Sequence, residues 1–576
     1  MLKIRILLFF KKSKELLTGE QSNILKTSFL LMAVILVTKL SGMLFNAVVA
    51  HKLGADRPLD LFLLANTIPE MFGNLLLVGI VSAVLIPVLI KDLNDNGFDS
   101  FLKLFNSLLN GGLLIFIVIS LVIIITADSF LPFLLNTVIK PNQIFSPQEL
   151  ESAIWMMRML LLPQLVLGVS TFYSSGLNIF NRFLLPQLAP FFYNVGRIAG
   201  AILLVPVMGV DGLVWGTVFG SVLHLVIQLP LALKLGLRNL PVLDVFNPNF
   251  ICALRVGFPR IVGLGAEYMA TAIDRFIAGR FVVGSVVAYS YAVSLITIPL
   301  SLFGLTFSVA SFPTLSKYFH SREYGKFAEL VLQLMNNIIF LAVPATVIIL
   351  ILRVSLVRLF FGLFGGQFDF QDTYLTAWVV SFFAVGLIFE SMRSLMYRVF
   401  YAANDTIRPM QIAIFTVIFG MTTGITFTNY FSHFDQFEFA ALHWDPTYFF
   451  TSENGKAAIG GLALSSSLVF TIEFVVLLYL VNKRVVRLNF DKLRIDMVKK
   501  LLAGLIMALI MFSFFKIWGN SEYQTRTIYL LFLVFVTVFI GLVGYFWACY
   551  VFRIAEFETI KKFLKKMNAH KILDFA

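Results

Sequence analysis

The chain has 576 residues, of which 59% are hydrophobic and only 13% charged, with a net charge of +13 and two cysteines. Its mean hydropathy of +0.88 argues against a soluble globular fold, and two cysteines cannot make a disulfide scaffold. The positive charge is scattered over loops with no RNA- or DNA-binding motif, which argues against a nucleic-acid partner. A bilayer core takes roughly 20 apolar residues to span as a helix. Such stretches are expected at Thr27–Val49, Phe62–Ile90, Phe105–Thr126, Ala153–Ile179, Pro186–Val207 and Leu213–Leu233. They continue at Val256–Ala278, Val287–Phe312, Leu330–Leu352, Tyr374–Phe400, Met410–Phe431, Ala457–Val481, Leu501–Trp518 and Thr527–Phe552. The expected fold is an all-α membrane protein of about fourteen transmembrane helices.

Every second loop is basic. Residues 1–24 form a basic arm with Lys3, Arg5, Lys11, Lys12 and Lys14, and the loop after the twelfth span runs from Lys483 to Lys500 with seven Lys and Arg. The intervening loops are poorer, Ser432–Lys456 especially, with Lys52, Arg57, Arg353 and Arg358 as exceptions. The excess of Lys and Arg predicts both termini in the cytoplasm, with the basic loops against anionic bilayer lipids. The arm has no small-residue cleavage site, so no removable signal peptide is expected.

The chain also resembles itself at an offset of about 220–230 residues. Ile68–Pro69 followed by SAVLIPVLIK (Ser82–Lys91) is matched by Ile298–Pro299 followed by SVASFPTLSK (Ser308–Lys317). NRFLLP (Asn181–Pro186) is matched by NDTIRP (Asn404–Pro409). A duplication of six helices keeps the topology of both copies and relates them by an axis along the membrane normal. Such transporters bind substrate between the lobes and rock one against the other. The expected division is 25–240 for the first lobe, 241–484 for the second, and 485–576 for an appended helix pair with its basic tail.

Charge inside a span costs on the order of 2.5–3.5 kcal/mol and so tends to face a cavity or a partner. Lys39 stands midway along the first span beside a polar strip of Thr38, Ser41, Gly42 and Asn46, and the second carries Glu70, Gly73 and Asn74. The seventh holds Arg260, Glu267, Asp274 and Arg275. Glu267 and Asp274 are two turns apart and share a face, suited to a coupling cation. Arg158, Arg197, Arg398 and Glu473 read as structural charges, with Glu390 and Arg393 completing the set. Cationic groups between two lobes suit an anionic headgroup such as a phosphate or diphosphate. No P-loop or HExxH occurs, Asp92–Asp99 reads as a solvated loop, and His433, Asp435, His443 and Asp445 lack ligand spacing. Neither enzymatic activity nor a metal or other cofactor is expected.

LGADRPLDLFLLANTIP (Leu53–Pro69), VGIVSAVLIP (Val78–Pro87), GLNIFNRFLLPQLAP (Gly176–Pro190), QLPLALKLGL (Gln228–Leu237), FPTLSK (Phe312–Lys317) and FYAANDTIRP (Phe400–Pro409) occur in order along the chain. Together they resemble the MurJ/MviN lipid II flippases of the multidrug/oligosaccharidyl-lipid/polysaccharide exporter superfamily. The resemblance implies a protein of the bacterial cytoplasmic membrane that carries an undecaprenyl-linked peptidoglycan precursor, a lipid-linked anionic glycan, to the outer leaflet. It also implies a cationic central cavity and a groove for the lipid tail on the last two helices. By similarity Lys39 falls on a cavity arginine and Asp60 on an acidic residue near the outer end of helix two. Phe45, Gly73 or Asn74, and Ser294 or a neighbour stand where further cavity arginines are expected, and Asn46 replaces an acidic residue. Arg260, Arg275 or Arg393 is then expected to restore charge. The alternatives are a flippase for another polyprenyl-linked glycan, a MATE-like cation-coupled exporter, or a non-transporting scaffold.

Overall fold

The computed structural model describes residues 24–75, 86–135, 145–432, 458–519 and 527–558, and helix is the only regular element among them. The first half holds α1 (Ile24–Leu53), α2 (Arg57–Gly73), α3 (Ile86–Phe133), α4 (Pro147–Met159), α5 (Leu161–Ile179), α6 (Leu184–Leu203) and α7 (Asp211–Val226). Then come α8 (Pro248–Ala278), α9 (Ser285–Pro299), α10 (Thr306–His320), α11 (Tyr324–Phe361), α12 (Phe370–Ala402) and α13 (Ile407–Ser432). The chain continues through α14 (Ala458–Leu480), α15 (Phe490–Trp518) and α16 (Thr527–Val551). A π-helical stretch, Leu300–Leu305, joins α9 to α10.

Eleven of the described helices are long and apolar enough to cross a membrane, so this is a multi-pass membrane protein. The expected fifth and seventh spans exist as α6 and α8 but are too polar to be counted, with Gln187, Asn194 and Arg197 in one and five charged residues in the other. Residues 76–85 of the second lie outside the described residues, as do the basic arm, most of the carboxyl tail and most of the Ser432–Lys456 loop.

The helix starts and stops follow from local chemistry. Ser146 caps α4 in a reciprocal box with Glu149, and the same Glu149 pairs with Arg57 at the start of α2 at 2.8 Å. Among the described residues four non-glycines take positive φ, including Asn181 (55°), Arg322 (59°) and Asn404 (58°). Asn181 and Asn404 are 223 positions apart, each in the turn before the next helix. Gly97 (82°), where the chain bends within α3, lies 225 positions before Arg322, between α10 and α11. Positive φ thus recurs at the offset of the sequence repeat, although Gly97, with ψ 179°, is extended and not in the left-handed helical region.

By compactness the chain forms two units, Met1–Val287 with Phe364–Asp369, and Ala288–Leu363 with Phe370–Ala576. The repeat assigns α8 to the second lobe; compactness assigns it to the first unit. In the first unit α6 and α7 meet backbone to backbone. A Cβ on Gly196 would strike Gly220, and one on Gly200 would strike the Cα of Gly216. Apolar side chains gain nothing by leaving lipid for protein, so helices in a membrane associate through this kind of close approach. In the second unit the appended α15 and α16 share a core with α11, including Phe340, Met507, Met511 and Tyr545.

Candidate functional site

Helix α1 presents two different faces. At 100° per residue Ser41 and Phe45 lie together, and Lys39 points well away from them. Ser41 and Phe45 face α6: Asn194 Nδ2 donates to Ser41 Oγ at 2.9 Å and to the Thr38 carbonyl at 3.3 Å. One turn further along α6, the guanidinium carbon of Arg197 lies 3.6 Å from the centroid of the Phe45 ring and 5.2 Å from that of Tyr193. Phe45 itself is 4% exposed.

Helix α2 contributes Glu70 to the same unit. Its Oε2 accepts from Arg275 of α8 at 2.7 Å and from Asn66 Nδ2 at 3.2 Å, and Arg197 lies within its electrostatic reach. Asp274 and Arg275 are neighbours on α8 and diverge by about 100°. Arg275 finds its carboxylate on α2 instead. That ion pair is neutral as a unit, and Arg197 beside it has no carboxylate at ion-pair distance among the described residues.

Asp60 is 7% exposed, and both carboxylate oxygens are engaged by backbone. Gly284 N–H donates to Oδ2 at 2.7 Å and Val287 N–H to Oδ1 at 2.9 Å, so Asp60 on α2 caps the start of α9. A carboxylate at a helix N-terminus is favoured by both the free amides and the dipole. Gly284 has φ +87°, and a Cβ there would meet the Ala55 carbonyl, so glycine fits the approach.

The remaining expected site residues are dispersed. Lys39 is exposed and makes no hydrogen bond or ion pair with a described residue. Asn74 ends α2 with its N–H on the carbonyls of Glu70 and Met71. Glu267 is exposed and Asp274 half-buried on α8. Arg260 lies in α8, with its side chain outside what the structure describes. No group of three or more His, Cys, Asp or Glu fit to hold a metal occurs among the described residues, and His433, Asp435, His443 and Asp445 fall outside them.

Two further charge clusters lie in the second unit. Arg393 on α12 pairs with Glu473 on α14 at 3.0 Å and reaches Glu390 at 3.7 Å, and the Tyr397 hydroxyl also donates to Glu473. Lys500 was expected among loop charges; it lies inside α15 with a side chain 0% exposed, because that helix starts at Phe490. Its ammonium donates to Glu556 at 2.9 Å and to Asn336 Oδ1 at 2.6 Å on α11. Asp92, expected in a solvated loop, is buried and accepts from Asn249 Nδ2 at 2.7 Å. Position on a charge map gave no warning of either, since both depend on which helix lies alongside.

The sequence model of the family described as Lipid II flippase MurJ matches residues 49–439. A protein of Bdellovibrio bacteriovorus named probable lipid II flippase MurJ is 24% identical over 558 residues, covering 95% of this chain and 98% of its own length. A solved structure titled lipid II flippase MurJ, inward closed conformation, superposes with a TM-score of 0.71 at 18% identity, covering 91% of this chain and 98% of its own. An inward-facing MATE family transporter of the MOP superfamily gives a TM-score of 0.58 at 13% identity over 79% of this chain and 98% of its own. The structural likenesses establish the fold, and the sequence match across most of the described helices establishes the family. This chain, with its buried Glu70–Arg275 pair and its stacked Arg197, belongs to the lipid II flippase MurJ family.

Proposed function

We propose that this protein moves lipid II, the undecaprenyl-linked peptidoglycan precursor, from the inner to the outer leaflet of the bacterial cytoplasmic membrane by alternating access. The observation that carries the reading is the family match over residues 49–439, which includes α2, α6 and α8 with their charged cluster. The MATE-like reading draws on the same fold, but that likeness covers less of the chain, 79% against 91%. Lys39, Asp60, Asn74, Arg260 and Arg275 are the proposed substrate-binding set, with Glu267 and Asp274 proposed for a coupling cation. Transport without catalysis follows the family's role.

Depletion of the native lipid II flippase in a bacterium expressing this chain tests the function. Growth and outer-leaflet precursor should both be restored. A well-expressed, membrane-inserted chain that restores neither overturns the reading. An exporter of amphiphilic cations would instead protect cells from such compounds.

The proposed topology places both termini in the cytoplasm and Ser432 outside. Cys252 is exposed, so the background carries Cys252→Ser. An impermeant thiol reagent added to intact cells should label Ser432→Cys and leave Asn489→Cys untouched. Labelling of Asn489→Cys from outside reverses the orientation.

A further inference from the structure

Arg197 is the charge in the first unit whose chemistry is least accounted for. A guanidinium carries five N–H donors in a plane. Among the described residues none of them has a hydrogen-bond acceptor or a carboxylate at ion-pair distance, and Nε is buried without a partner. What holds the group is aromatic. Phe45 covers one face at 3.6 Å and Tyr193 lies at 5.2 Å. Stacking occupies the face of the guanidinium and leaves its N–H edge available. Glu70, the carboxylate within its electrostatic reach, is already bound by Arg275 and Asn66.

The backbone beneath Arg197 is fixed from both sides. Asn194 ties the preceding turn to α1 through Ser41 and Thr38. Gly196 and Gly200, which flank Arg197, are pressed against α7. A planar donor edge held in place by rings and a rigid helix matches the geometry of a phosphate oxyanion, which arginine binds in a bidentate manner. An ordinary structural arginine would spend its donors on the protein.

We propose that Arg197 is a substrate-binding residue whose N–H edge takes phosphate oxygens of the lipid-linked substrate, with Phe45 and Tyr193 as the residues that position it. The inference rests on the flippase reading above and names a residue of its site. The shared chemistry is a lipid phosphate, and the two sources are a polyprenyl diphosphate and a bulk phospholipid.

The test uses the full chain in nanodiscs, with undecaprenyl diphosphate as probe and undecaprenol as its uncharged control. The parent should bind the diphosphate, not the alcohol, and its melting temperature should rise with probe concentration. Arg197→Gln should weaken binding by about 10- to 100-fold, the range for losing a hydrogen bond to a charged group, and should erase the melting shift. Arg197→Lys keeps the charge and loses the fork, and should weaken binding by about 10-fold; it decides the matter if the glutamine variant does not fold. Phe45→Leu should weaken binding with the charge intact. A purely structural role predicts the reverse pattern, a lower melting temperature without probe and unchanged affinity, and overturns the proposal. An equal, Arg197-dependent shift on raising phosphatidylglycerol alone assigns the site to bulk lipid and overturns it as well. A parent that complements and binds the diphosphate, with variants that bind equally, sinks Arg197 alone. A parent that does neither sinks the flippase reading with it.

Discussion

Leucine in place of Gly200 should deprive the cell of folded protein. A Cβ at that position would overlap the Cα of Gly216 and lie 3.0 Å from both the Gly212 carbonyl and the Gly216 nitrogen. These are backbone atoms, and they cannot rotate aside as a side chain can. The helices must separate along the whole α6–α7 seam, and with them goes the packing on which membrane helices depend. Overpacking a tight site typically costs about 1–3 kcal/mol, and a branched side chain against backbone belongs at or beyond the upper end. Gly200→Ala should lower the melting temperature in detergent, and Gly200→Leu should leave little monodisperse protein on size exclusion. Gly325→Ala is the control, since nothing lies within 4 Å of the added Cβ, and it should behave as the parent. Parent-like elution and melting of Gly200→Leu would show that the two helices are not in contact as described.

The second large effect is expected at Lys500. Its ammonium is wholly buried and serves Glu556 and both the side chain and carbonyl of Asn336. Lys500→Met keeps the length and leaves Glu556 as a half-buried carboxylate with its ion-pair partner gone. Breaking a buried pair in this way costs about 3–5 kcal/mol, more than the pair itself contributes. The double variant Lys500→Met, Glu556→Gln should therefore be more stable than Lys500→Met alone. Thermal melts of the four proteins in a double-mutant cycle measure this coupling. Additive losses would mean that the two groups do not interact. Because Asn336 belongs to α11, the single variant should also loosen the appended helices, read as faster proteolysis near α15.

The spans and their order were legible because a run of twenty apolar residues has few other uses. The proposed duplication is read from NRFLLP and NDTIRP, since a proline after a turn is a local signal. The partnerships of the charges were not. Helical periodicity tells that Asp274 and Arg275 diverge, but only the fold tells that Arg275 meets Glu70, 205 positions away. Arg197 reads as a structural charge in the sequence; in the fold it is a stacked cation with its donors unspent. Asp60 was singled out by resemblance, and its two backbone partners, Gly284 and Val287, carry no side-chain signal at all. Helix α8 packs on α2 and α3, which groups it with the first unit although the repeat counts it with the second.

The paired positive-φ positions bear on the proposed duplication. Asn181 and Asn404 keep the same residue and nearly the same φ, 55° and 58°. Gly97 and Arg322 keep the sign of φ, but glycine in one copy stands opposite arginine in the other, a residue for which that conformation is uncommon. The asparagine turn keeps both its letter and its angle, within NRFLLP and NDTIRP, whereas the other pair keeps only the sign of φ, since Gly97 has ψ 179°. The asparagine turn is thus the firmer register mark between the halves, and a superposition that sets Asn181 on Asn404 should carry the helices on either side of it onto one another.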